Sequence, residues 1–204
     1  EMVNVLTGFK YIGERIGQLE AAGEADRYVF GFEESYGYLA GSYVRDKDAV
    51  YGAMAICDMA SYYKAQGKTL IDVIDAIYRK YGYYVNTVAS FEFDGLAGMA
   101  QMKALMQQLR AERPALLCGV AVTNFSDYLT SQSIDCATGA VTEIHLPKSN
   151  VLSFTRADGA NVIIRPSGTE PKIKVYVASV ADSRAESERV GAALLAEVRG
   201  MLGI

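Results

Sequence analysis

Asp158-Gly159 stands between two strand-like runs, Val151 to Arg156 and Ala160 to Arg165. A dipeptide of this kind accepts the backbone of a tight hairpin, so it predicts two antiparallel strands. A third strand, Ile173 to Ser179, follows. Ser183, with Glu186 three residues on, then predicts a capped helix whose buried stripe is Val190, Leu194 and Val198. Antiparallel strands followed by an amphipathic helix constrain this region to a layer in which helices cover one sheet face. The residues just before it fit the same plan. Tyr84 to Phe93 reads as a strand. A helix carries Met99, Met102, Met106 and Leu109 on one face, and Pro114 breaks it. That methionine stripe reads as core filling. Leu116 to Val122 reads as one more strand, and Asp127 to Glu143 as polar and irregular. Four or five strands and two helices result.

The first part of the chain has another texture. Met2 to Leu6 reads as a short strand. Ile12, Ile16 and Leu19 mark a helix that ends at Gly23, and Arg27 to Phe32 a second strand. Gly41 to Asp48 is turn-like. Ala49, Ala53, Met54, Cys57 and Ala60 outline a helix packed through small side chains. Thr69 with Asp72 opens another, with Val73, Ile74 and Ile77 inward. This order is α/β in character. The change of texture at Tyr81-Gly82-Tyr83-Tyr84 sets a domain boundary, giving 1–85 and 86–204.

With 204 residues, half of them hydrophobic, the chain can bury one solid core or two small ones. The net charge of −4 and the lack of a basic block argue against a nucleic-acid partner. No apolar run reaches membrane-spanning length, which argues against a membrane partner. Cys57, Cys118 and Cys136 are an odd, widely spaced number that suits a reducing, cytoplasmic setting and forms no metal pattern. His145 is the only histidine. The chain opens inside an apolar run without an initiator methionine, so it reads as a piece of a longer chain.

Four polar clusters fall on turns. Arg165-Pro166-Ser167-Gly168-Thr169-Glu170-Pro171-Lys172 joins two strands and offers a guanidinium fork, two hydroxyls and a permissive glycine, which is the chemistry a phosphate takes. The plain alternative is a solvated hairpin turn. Thr7-Gly8-Phe9-Lys10 puts Lys10 at a strand-to-helix junction, where a cation can meet an anion near the helix N-terminus; otherwise it is a surface lysine. In Glu33-Glu34-Ser35, an extended backbone turns Glu33 and Ser35 to one side, a good grip on vicinal sugar hydroxyls. The alternative is an acidic loop in water. Arg45-Asp46-Lys47-Asp48 alternates in charge, and as a metal loop it is weak because Arg45 and Lys47 oppose a cation.

In this order, the clusters resemble the alpha-D-phosphohexomutase superfamily, which includes phosphoglucomutases and phosphomannomutases. The matching stretches are TGFKYIG at 7–13, GFEESYGY at 31–38, VRDKDAV at 44–50 and RPSGTEPKIKVY at 165–176. The resemblance implies that 1–85 is the later part of the α/β third domain and 86–204 an α+β, TATA-binding-protein-like fourth domain. It implies substrate contacts from Lys10, Glu33, Ser35 and Arg45, with Lys10 assisting catalysis. It also implies a phosphate site of Arg165, Ser167, Gly168 and Thr169. In some members a histidine follows the serine of the sugar loop; here Gly37 stands at that place.

The implied reaction interconverts hexose 1-phosphate and hexose 6-phosphate through a 1,6-bisphosphate. It uses a phosphoserine nucleophile, Mg2+ and glucose 1,6-bisphosphate as activator. Neither a Thr-x-Ser-His-Asn type segment nor an Asp-Gly-Asp-x-Asp-Arg type loop occurs in the chain. The nucleophile, the metal and the amino-terminal domains are therefore expected elsewhere in the whole protein, and this piece alone is expected to be inactive and prone to self-association. The alternatives are a phosphosugar-binding module without chemistry and a different phosphotransfer enzyme using Lys10 and Glu33. The latter lacks any Gly-Lys-Ser/Thr nucleotide loop.

Overall fold

The computed structural model describes residues 1–33, 36–93, 95–168 and 170–203, with the side chains at 95 and 96 left out of the description. The chain divides into two compact units, Glu1–Ala76 and Ile77–Ile204.

In the first unit, helix α1 (Phe9–Ala21) buries Phe9, Ile12, Ile16 and Leu19, the three-to-four-residue stripe of an amphipathic helix. Gly8, with φ 125°, opens it, and Gly23, with φ 72°, turns the chain away at its end. A 3-10 turn at Ala25–Arg27 leads to β1 (Gly31–Phe32), which pairs antiparallel with β2 (Tyr38–Leu39). Phe9, Ile12, Ile16 and Leu39 form the core, with Val5 and Tyr28 packed on it. The Tyr28 hydroxyl donates to the Leu39 carbonyl at 3.0 Å. Helix α2 (Ala49–Lys64) begins at the Asp48 cap. Thr69 and Asp72 form a reciprocal box, Thr69 N to Asp72 Oδ2 at 2.8 Å and Asp72 N to Thr69 Oγ1 at 3.1 Å. It opens α3 (Leu70–Tyr81).

Three expectations for this region change. Met2 to Leu6 is not a strand, and Arg27 to Phe32 keeps only β1 and the 3-10 turn. A strand exists by pairing its backbone, and among the described residues these segments find too few partners. The helices are also less buried than their patterns suggest. Only Gly52 of α2 is buried, and Ile74 and Ile77 of α3 are 41% and 46% exposed. A sheet of two-residue strands is too small to cover both.

The second unit opens with the end of α3, followed by β3 (Tyr83–Glu92) and α4 (Gly95–Ala111). Strands β4 (Leu116–Leu117), β5 (Val120–Asp127), β6 (Gln132–Asp135), β7 (Val141–Glu143), β8 (Leu152–Arg156), β9 (Asn161–Pro166) and β10 (Lys172–Ala181) follow, then α5 (Arg184–Met201). They form an eight-stranded sheet in the order β3-β10-β9-β8-β5-β6-β7, with β4 on β5. On β10, Ile173, Val175, Val177 and Ser179 are buried while Lys172, Lys174 and Tyr176 lie on the opposite face. The buried face packs against Met102, Met106 and Leu109 of α4 and Leu194 and Val198 of α5. Gly191 lets α5 approach β10: a Cβ there would stand 3.1 Å from Ser179 Oγ.

The expected hairpin at Asp158-Gly159 is present, with Gly159 at φ 84°. Leu116 to Val122 is a hairpin rather than one strand, turning at Cys118 (φ 49°) and Gly119 (φ 75°). The segment expected to be irregular holds the β6–β7 hairpin. Its turn is built by Asp135, whose Oδ1 accepts from Ala137 N at 3.0 Å and Thr138 N at 2.8 Å. Met99 is 39% exposed, so it leaves the buried stripe of Met102 and Met106.

Candidate functional site

Polar clusters lie in both units. In the first, Lys10 lies exposed in the opening turn of α1, its Nζ 4.8 Å from the centre of the Tyr11 ring. Glu33 follows β1. Its N–H donates to the Gly37 carbonyl at 2.9 Å, closing a loop in which exposed Tyr36 adopts φ 65°. A Cβ on Gly37 would meet Glu33 Oε2 at 2.7 Å, Lys47 Cδ at 3.1 Å and Phe9 Cδ2 at 3.2 Å. A bare backbone at Gly37 therefore gathers a carboxylate, a lysine stem and an aromatic ring. Lys47 Nζ reaches Asp46 Oδ1 at 3.0 Å and lies 5.8 Å from the centre of the Phe9 ring. Ser35 and its neighbour Glu34 lie outside the described residues.

Arg45 is held by other groups. Its guanidinium pairs with Glu20 of α1 and donates to the Ser42 carbonyl at 2.6 Å. Its own carbonyl lies 2.6 Å from where a Cβ on Gly13 would be. These contacts fasten the loop before α2 onto α1. Asp48 then caps α2, its Oδ1 accepting from Val50 N at 2.9 Å and Tyr51 N at 3.1 Å. The Tyr43 hydroxyl donates to Asp48 Oδ2 at 2.6 Å. That bond and the two amides hold the Asp48 carboxyl below its ordinary range. The same bond pushes the Tyr43 hydroxyl up to about 12. The Lys47 side chain, then its amide, lower Asp46.

In the second unit the cluster lies on the β9–β10 hairpin. Arg165 and Lys174 are direct cross-strand partners. Neither side chain forms a hydrogen bond or ion pair among the described residues. Beyond them, Ser167 N donates to the Lys172 carbonyl at 2.8 Å and Lys172 N to the Glu170 carbonyl at 2.8 Å. Glu170 N donates to Ser167 Oγ at 3.2 Å. Lys172 pairs with Glu170. That bond is the main cause holding the Glu170 carboxyl low and the Lys172 amine high. Gly168 lies outside the left-handed region, and a Cβ there would meet nothing within 4 Å. The chain's own packing therefore does not demand glycine at this place. Thr169 lies outside the described residues.

The sequence reading gave no binding role to two cations, Lys47 and Lys174. Lys174 could have been found by counting alternation back from the hairpin turn, which puts it on the Arg165 face. Lys47 could not, because only packing at Gly37 brings it to Glu33. Among the described residues no three His, Cys, Asp or Glu side chains lie together in a way that could hold a metal ion.

Two family models match the chain. "Phosphoglucomutase/phosphomannomutase, alpha/beta/alpha domain III" matches residues 1–81, and "Phosphoglucomutase/phosphomannomutase, C-terminal domain" matches residues 97–195. A phosphoglucomutase of Staphylococcus aureus (strain bovine RF122 / ET3-1) is 41% identical over 177 residues, 87% of this chain and 31% of the relative. One of Staphylococcus epidermidis (strain ATCC 12228 / FDA PCI 1200) is 39% identical over 178 residues, 87% of this chain and 32% of the relative. The chain thus spans about a third of the length of these curated relatives. The crystal structure of the exocytosis-sensitive phosphoprotein pp63/parafusin (phosphoglucomutase) from Paramecium, open form, superposes with a TM-score of 0.62 at 19% identity, over 97% of this chain and 32% of that one. At that identity the likeness speaks for the fold alone. The two matched domains and the curated relatives agree, and the chain belongs to the phosphoglucomutase/phosphomannomutase family.

Proposed function

We propose that the whole protein interconverts hexose 1-phosphate and hexose 6-phosphate through a 1,6-bisphosphate, and that these residues supply its grip on sugar and far phosphate. The observation that carries the reading is the β9–β10 hairpin. Arg165 and Lys174 face each other there, neither side chain hydrogen-bonded or ion-paired among the described residues, beside the loop of Ser167 and Glu170. A phosphate dianion resolves that repulsion and matches the guanidinium fork. Arg165, Ser167, Gly168 and Thr169 hold the phosphate that does not react.

Glu33 and Ser35 hold the sugar hydroxyls. Glu33 accepts their hydrogen bonds, and the Lys47 stem packs beside it at Gly37. Lys10 assists at the mouth of α1. Arg45 contributes by holding its loop on Glu20. Gripping the remote ends of the substrate in either orientation lowers the cost of positioning the reacting phosphate.

In this reading residues 1–85 are the later part of domain III. Residues 86–204 are domain IV, whose two helices on one sheet face support a TATA-binding-protein-like description. The phosphoserine, the Mg2+ and the remaining domains lie outside these residues, and glucose 1,6-bisphosphate is the activator. The described residues do not form a magnesium site. The protein works in the cytoplasm. The exposed Val50, Met54 and Ile56 of α2 favour self-association of this chain by itself.

The test is conversion of glucose 1-phosphate with Mg2+ and glucose 1,6-bisphosphate. The whole protein is expected to turn over, Arg165→Ala and Glu33→Ala each to lower kcat/KM by roughly tenfold or more, and the 204-residue chain to be inactive. Full activity in both variants, or turnover by the chain alone, overturns the reading.

A further inference from the structure

The phosphate loop already contains an anion. Glu170 pairs with Lys172, and the charge of Lys174 draws its carboxyl lower still. Two backbone contacts tether it. Its N–H donates to Ser167 Oγ at 3.2 Å and its carbonyl accepts from Lys172 N at 2.8 Å. Glu92, across from Lys172 on β3, adds a second negative field to the same lysine. Lys174 stands opposite Arg165 on the neighbouring strand. Three cations therefore converge at this end of the sheet, and like charges placed directly opposite each other repel unless an anion comes between them. Glu170 is the anion the loop itself offers.

We propose that Glu170 is a resident counter-anion that competes with the incoming phosphate for Lys172, and so sets how tightly the loop holds a phosphate and how readily it lets go. The inference rests on the phosphate-loop reading of Arg165. A phosphate entering beside Arg165 has to draw Lys172 away from Glu170. A phosphate leaving lets that pair re-form, so release does not leave the cations bare. The loop gives up some affinity and gains an easier exit, which suits a site that must release one end of a bisphosphate and take hold of the other. The pair is exposed, with 58% of the Glu170 side chain accessible, so the effect is modest.

The experiment is an NMR titration of the 204-residue chain with inorganic phosphate at low ionic strength, following the amides of Ser167 and Gly168. Glu170→Gln is expected to tighten binding about two- to fivefold, the size an exposed ion pair supports. In a Lys172→Gln background the same change is expected to gain clearly less, because its ion-pair partner is gone and only the longer-range effect on Lys174 is left. An equal gain in both backgrounds overturns the proposal, since bulk charge then explains it. No gain from Glu170→Gln, while Arg165→Ala still weakens binding, overturns the proposal and leaves the phosphate loop standing. Unchanged binding in Arg165→Ala, or no phosphate binding at all, overturns the loop reading and the proposal with it.

Discussion

Glu33 and Gly37 close one loop from both sides. The Glu33 N–H donates to the Gly37 carbonyl at 2.9 Å, and a Cβ on Gly37 would stand 2.7 Å from Glu33 Oε2. The carboxylate assigned to the sugar thus folds over the glycine of its own loop. The missing side chain decides where the functional one rests.

Gly37→Ala is therefore expected to displace the Glu33 carboxylate. The clash falls on the far end of a flexible side chain, so the stability cost should be about 1 kcal/mol or less. Hexose-phosphate affinity should fall while the melting temperature barely moves. Calorimetry of binding and of unfolding separates the two effects, and unchanged affinity would remove Glu33 from the site.

Gly13→Ala should behave in the opposite way. Its Cβ would meet the Arg45 carbonyl at 2.6 Å, and that oxygen belongs to the backbone. Helix α1 and the loop before α2 would have to separate, at a cost of about 1–3 kcal/mol. Denaturant unfolding should register the loss, and amide exchange should quicken from Ser42 to Asp48. Exchange that stays slow there would show that Arg45 and Glu20 hold the loop without the close approach.

The α2 cap should depend on acid. The Tyr43 hydroxyl, ahead of the Tyr51 and Val50 amides, holds the Asp48 carboxyl below its ordinary range. A depressed carboxyl contributes stability above its unfolded value, about 3.9, and loses it as the pH falls through the folded value. Tyr43→Phe should raise the Asp48 titration toward ordinary. Carboxyl NMR titration is the check, and identical curves would contradict the assigned cause.

Arg156 is a buried charge in the second unit. It is 4% exposed, bonds the Leu117 carbonyl at 3.1 Å and pairs with Asp158. Arg156→Ala removes both contacts and strands the Asp158 carboxylate without its partner, and should cost about 3 kcal/mol, the low end for a buried pair because Asp158 stays partly in water. Urea unfolding measures it, and a loss below about 1 kcal/mol would mean water replaces the arginine.

The amino-acid sequence by itself determined α1, the Asp158-Gly159 hairpin, β10 and α5. Each is written in local terms: an apolar period, a turn dipeptide, or Ser183 capping Glu186 N. The four polar clusters were legible for a similar reason, because RPSGTEPK and GFEESYG are contiguous. Tertiary structure alone decided the rest. Met2 to Leu6 has the residues of a strand and, among the described residues, no strand beside it, because backbone pairing is a property of neighbours. Ile74 and Ile77 have an inward pattern and remain exposed, since burial needs a second surface. Arg45 grips Glu20 twenty-five residues earlier. Lys47 meets Glu33 only across Gly37, and Lys174 meets Arg165 only once β9 and β10 lie in register. Charges find their partners by distance in space, which spacing along the chain does not encode.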